Sequence, residues 1–313
     1  MLFLTTPVDK AKGHPRYREG QVVIILGIQI ALALLALNFA FQLIRTARSK
    51  GQARPKVEGI AVGAVANFFD ALGIGSFAPT TAYLRFRKLI PDSFLPAVLN
   101  AGHCLPTVAQ GLVFIHMVVV DPVLLIACIA ASVVGALIGA PIVLKLPVKA
   151  VQIVVGTALL IAAGLYAMTN LNLMPAGGEA VSLEGHLFYI AIAAHVVMGA
   201  LMSFGIGLYA PSLIMLSLMG MNPTAAFPIM MGACAFLMPV SGLRFIKSDR
   251  IDLKLVLGMA LGGIPAVLLA AFVVTSLPLT VMRWGVVVVV LYAAVSLLHT
   301  ALKRKRAALA VSA

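Results

Sequence analysis

Asp70 is the only carboxylate set deep in an apolar segment, and three residues later the chain reads Gly73-Ile74-Gly75-Ser76-Phe77-Ala78-Pro79-Thr80-Thr81. A carboxylate in lipid is costly and marks a functional candidate, able to carry a proton or to coordinate a cation. Two glycines so close interrupt a helix and let a ligand approach the backbone. An interrupted helix exposes unpaired N–H groups where it restarts, and such a terminus attracts anions. Pro79 falls in the first turn of the restarted helix, where its missing N–H costs nothing. Ser76, Thr80 and Thr81 add hydroxyls, although a hydroxyl on a helix often bonds a nearby carbonyl instead. Asn100 and His103 lie on the next apolar span, three residues apart, so one helix face would carry both.

The motif has a twin. Gly205-Ile206-Gly207-Leu208-Tyr209-Ala210-Pro211 repeats Gly73 to Pro79 at an offset of 132, with five of seven positions identical. The same offset aligns Pro96 with Pro228. An offset of 131 aligns Asp121 with Asp252 and Leu146-Pro147 with Leu277-Pro278. Landmarks in one order describe an internal duplication, over 57–168 and 187–301. Polar residues are unequally shared. Asp70 is matched by Met202, Asn100 by Gly232 and His103 by Ala235, whereas His195 is matched by Gly63. Ser203, Tyr209 and Ser212 are what the second copy offers.

The elements that must position these residues are membrane helices. The chain has 313 residues, 62% hydrophobic and only 11% charged. Soluble domains carry about 25% charged residues. Apolar runs at 21–44, 93–118, 122–144, 150–168, 223–243, 253–274 and 281–301 have the length of about 20 residues that a helix needs to cross the hydrocarbon. The segments 57–84 and 187–219 are too long for simple spans, and each contains one glycine break. The run at 21–44 is too long for a signal-peptide core and reads as an extra first helix behind a basic tail, 1–20.

Charge decides how the broken segments run. If each is a hairpin that returns to its own side, the intervals 45–56, 85–92, 145–149, 244–254 and 302–313 share one face and hold 18 of the 23 Lys and Arg. The opposite loops, including 169–186 with Glu179 and Glu184, hold none. That asymmetry follows the positive-inside rule. It makes the two copies inverted, with the 302–313 tail cytoplasmic and 169–186 extracytoplasmic. The expected fold is an all-α polytopic membrane protein of two inverted repeats, each with a glycine-broken hairpin, plus one N-terminal helix. Transporters of this build bind substrate where broken helices meet at mid-membrane.

The net charge of +13 sits in short loops between spans, which excludes a nucleic-acid-binding surface. Cys104, Cys128 and Cys234 lie in apolar segments without CxxC spacing, so they predict neither disulfides nor a metal site. No H-E-x-x-H, G-x-S-x-G or phosphate-binding loop is present, and Asp70 lacks a second membrane carboxylate. An enzyme and a direct ATP drive are therefore not expected, and no cofactor is implied.

On its two glycine breaks, each followed by a proline and a second apolar span, and on Leu146-Pro147 and Leu277-Pro278, the chain resembles the sulfite exporter TauE/SafE family over roughly 57–301. The resemblance implies a carrier of sulfite, sulfoacetate or related anions in the bacterial inner membrane. The residues expected to hold the anion are Gly73, Gly75, Ser76, Phe77, Thr80, Asn100, His103, Gly205, Gly207, Leu208, Tyr209 and Ser212. Asp70, His103 and His195 are the coupling candidates, with proton or sodium as the ion. The alternative is a cation- or proton-coupled carrier or channel for another small solute. The partners are the substrate and the bilayer, and a homodimer is a compatible assembly. Reporter fusions after residues 50, 88, 175 and 250 should place 175 on one side of the membrane and the other three on the opposite side; separating 50 from 88 would exclude the hairpins.

Overall fold

The computed structural model describes residues 15–302 apart from 73–74, 116–119, 174–176, 274–283, 285–286, 289 and 293. The described residues form helices joined by turns, with one isolated bridge between Ala180 and Met221. In chain order these are α1 (Pro15–Ser49), α2 (Val57–Ala71), α3 (Phe77–Phe86), α4 (Leu95–Gly102), α5 (Cys104–Phe114), α6 (Pro122–Lys145), α7 (Val148–Asn170), α8 (Gly185–Ser203), α9 (Tyr209–Leu218), α10 (Pro223–Phe245) and α11 (Leu253–Val273). A shorter apolar helix, α12, covers Val290–Leu302. Six of the helices are long and apolar enough to cross a membrane, so the chain is a multi-pass membrane protein.

Two expectations change. The extra helix is not confined to 21–44: it begins at Pro15, inside the stretch read as a tail, and runs to Ser49. The run 93–118 is not one span. A 3₁₀ turn (Asp92–Phe94) leads into α4, and the chain is jointed at His103 before α5. The helical ladder almost continues through the joint, since His103 N–H donates to Leu99 O at 3.2 Å and Thr107 N–H to His103 O at 2.9 Å.

Both long segments break where the glycines predicted. α2 stops at Ala71 and α3 starts at Phe77; α8 stops at Ser203 and α9 starts at Tyr209. Each pair folds back on itself. In the first, Tyr83 Oη and Arg87 Nε near the end of α3 donate to Glu58 Oε1 at the start of α2, at 2.8 and 2.9 Å. In the second, the chain after α9 pairs with the chain before α8: Gly178 N–H donates to Met221 O and Asn222 N–H to Ala180 O.

The loops gather at two ends. At one, Lys56 pairs with Asp252, Lys50 with Asp249, and Arg250 Nη1 donates to Leu146 O. Arg85 and Asp92 form a half-buried pair there, and Gln152 Nε2 from α7 donates to Asp92 at 2.6 Å. Arg85 also reaches Ser296 O and Thr300 Oγ1 of α12. At the other end, Asp121 N–H donates to Val181 O and Gly178 lies against Gly220. Asp121 caps α6 through Leu124 N–H, and Asp252 caps α11 through Leu255 N–H. These matched landmarks are thus helix N-caps.

The broken helices dock tightly and in exchange. α2 lies along α11, and α8 lies along α6. Glycines bring the backbones together, the usual means of helix association in lipid. A Cβ on Gly63 would drive into the Met259 backbone, and one on Gly199 into Ser132 O. One pairing thus joins helix 57–71 to 253–273 and the other joins 185–203 to 122–145, so the halves trade partners. α10 crosses α5 and α6 at the centre, and α1 packs outside against α10 and α5. Gly63→Val or Gly199→Val should each lower stability by about 1–3 kcal/mol or more through overpacking. Gly164→Ala, with nothing within 4 Å of its Cβ, should leave the melting temperature unchanged or raised; detergent-phase thermal unfolding reads both.

Candidate functional site

The breaks expose backbone groups that need partners, because lipid supplies none. The second break closes the end of α8 with its own chain. Gly205 N–H donates to Met202 O and Ile206 N–H to Leu201 O, with Gly205 at φ +92°. This is a Schellman arrangement, which needs a left-handed residue that glycine supplies without strain. Gly75 takes φ +87° in the first break. Gly73 lies outside the described residues. No Cβ clash constrains Gly207, around which there is open space.

Two carboxamides finish the helix ends. Asn100 Nδ2 on α4 donates to Met202 O at 3.0 Å and to Pro96 O at 2.9 Å. Gln110 Nε2 on α5 donates to Asp70 O at 3.4 Å, and its Oε1 accepts from Tyr209 Oη at 3.3 Å. Asn100 Oδ1 is buried and meets no donor among the described residues.

The restarting ends are alike in lacking a side-chain cap. Ser76 at the start of α3 makes no side-chain cap bond, and the buried Asp70 stands before the break in the last turn of α2. Asp70 has no ion-pair partner among the described residues, and Tyr209 reaches its backbone through Gln110. The start of α9, at Leu208 and Tyr209, has no side-chain cap. Tyr209 thus brings the second break to the first.

Each half also holds a buried imidazole on a matched hydroxyl. Thr80 Oγ1 is 3.0 Å from His103 Nε2, and Ser212 Oγ is 3.1 Å from His195 Nε2. Asn67 Nδ2 donates to Gly63 O, which turns Asn67 Oδ1 toward His103 Nδ1 at 3.0 Å. His103 Nδ1 is therefore the donor, and Nε2 accepts from Thr80. His195 Nδ1 donates to Ala191 O at 2.7 Å, leaving Nε2 to accept from Ser212. Phe77 covers His103, their rings 5.8 Å apart. Thr81 bonds Phe77 O within its own helix.

Asn100 and His103 do not act from one face. Asn100 turns to the second break, while His103 turns to α2 and α3, because the chain is jointed between them. Asp70 and Tyr209 are brought together through Gln110. Thr80, Ser212 and both histidines hold internal partners at the flanks. Arg85 and Arg87, read as face markers, are engaged in ion pairs. Asn67 and Gln110 escaped the sequence reading, since a lone amide in an apolar run carries no spacing signal. Thr80→Val and Ser212→Ala each orphan a buried imidazole nitrogen, which costs about 1–3 kcal/mol; both should melt below the parent protein, and an unchanged melting temperature would show that the bond carries no weight.

Residues 187–312 match the family model Sulfite exporter TauE/SafE. No curated protein and no solved structure matches the chain. The matched stretch begins in the first turn of α8 and so includes the second glycine break, α9 and the Schellman turn that precedes it. From the first turn of α8 onward, over less than half of its length, the chain is similar to the sulfite exporter TauE/SafE family.

Proposed function

We propose that this protein is a secondary transporter that moves a small organosulfur anion, such as sulfite, sulfoacetate or a similar sulfonate, across the bacterial inner membrane by alternating access. The observation that carries the reading is the convergence of the two breaks, with Gln110 bonded both to Asp70 O of the first and to Tyr209 Oη of the second. The anion lies between the starts of α3 and α9, bounded by Ser76, Phe77, Leu208 and Tyr209. Backbone N–H groups and helix dipoles stabilise it there. The exchanged pairings α2–α11 and α8–α6, and the clustering of basic loops at one end, support inverted repeats over 57–168 and 187–301. That end is the cytoplasmic one by the positive-inside rule.

Asp70 gives the reading its coupling step. Ionised at the first break, it repels an incoming anion. Protonated, it admits one. Proton and anion then load together. His103 and His195 have both ring nitrogens engaged, which makes Asp70 the better carrier. The second reading, a carrier or channel for another solute in which Asp70 binds a cation, is favoured by one observation: Asp70 has no ion-pair partner among the described residues.

A ligand panel separates these readings. Sulfite and sulfoacetate should raise the melting temperature of the purified protein more than acetate, malonate or alkali cations do. At a hundredfold excess over Kd the linkage is about 2.7 kcal/mol. Stabilisation by cations alone would favour the second reading, and none across the panel would count against both. Asp70→Asn should abolish uptake driven by a pH gradient in liposomes while sulfoacetate still stabilises the variant. Undiminished driven uptake would remove Asp70 from coupling.

A further inference from the structure

Gln110 is fully buried in α5, and both ends of its carboxamide are used. Its NH₂ group holds the Asp70 carbonyl in the last turn of α2, and its oxygen holds the hydroxyl of Tyr209, the first residue of α9. One side chain therefore joins the end of one broken helix to the restart of the other. An aliphatic group would fill the volume, but only an amide presents a donor at one end and an acceptor at the other. Asn100, ten residues earlier, holds the Met202 carbonyl in the same way. Asp70 and Met202 are matched positions, so each matched carbonyl is held by an amide, and both amides come from α4–α5. The matched positions on α10 are Gly232 and Gly242, which face Ile129 and Phe39 and carry no such group.

We propose that Gln110 is a positioning residue that clasps the two broken helices through α5, so that the end of α2 and the start of α9 shift together during transport; this rests on the transport reading above. At 3.4 and 3.3 Å its bonds are long for their type. Such bonds hold one state without locking it. Tyr209 shares in the clasp through its hydroxyl, in addition to bordering the anion.

The test uses the full chain in proteoliposomes with sulfite as the probe, and hydrogen exchange at the two breaks without substrate. Gln110→Leu should lower the maximal uptake rate about five-fold, with the half-saturation concentration moving less than about two-fold, and Tyr209→Phe should lower the maximal rate to a similar extent. The double variant should be no slower than Gln110→Leu alone, because both remove the same bond. Gln110→Glu should recover toward the parent rate as pH falls, since only the protonated acid can donate to Asp70 O. Exchange should rise at both breaks in Gln110→Leu and, should that variant not fold, in Tyr209→Phe. The clasp is overturned by faster exchange at one break only, by multiplicative effects in the double variant, by a change in half-saturation without a change in rate, or by Gln110→Glu tracking Gln110→Leu at every pH. A parent protein that takes up no sulfite would count against the transport reading instead, while exchange still decides the clasp.

Discussion

In lipid a broken helix must find partners for its own backbone, and everything at the centre of this protein answers to that constraint. Each break leaves carbonyls at the end of one segment and N–H groups at the start of the next. The carbonyls are closed by the chain's own turn at Gly205 and by the amides of Asn100 and Gln110. Neither the start of α3 nor the start of α9 has a side-chain cap. Those two starts are where an external anion has most to gain.

The halves are unequal around the breaks. α4 and α5 carry polar side chains to both breaks, whereas α10 offers glycine at the matched positions and is covered by α1. At Gly242 the Phe39 ring of α1 lies where a side chain would stand: a Cβ would come within 2.6 Å of it. The additional helix therefore fills the flank that the duplication leaves thin. Close backbone approach at Gly63 and Gly199 sets α2 on α11 and α8 on α6, and through them aims the breaks at each other.

Much of the helical layout was legible in advance. Hydrophobic length marked the spans, and the repeated Gly-Ile-Gly with its proline marked the breaks, because glycine and proline act on the local backbone. Basic residues sorted the loops because loops on one side of a membrane carry the excess of Lys and Arg. The joint at His103 was hidden, since no Asp, Glu, Lys or Arg interrupts the 93–118 run to mark an end there. So was the divergence of Asn100 from His103, because helical periodicity assumes an unbroken ladder. The site was less legible. Asp70 stood out by its charge, but Asn67 and Gln110 are single amides whose use depends on residues 30 to 100 positions away.

By itself the sequence determined the lipid environment, the helical class, the two breaks and the sided distribution of charge. Each of these follows from local composition or from the backbone preferences of a few residues. Tertiary structure alone decided which broken helix lies on which partner, that Asn100 closes the second break, and that Tyr209 meets the first break through Gln110. Those facts depend on backbones close enough to exclude a methyl group and on polar atoms meeting across helices, and no stretch of sequence carries a distance between distant residues.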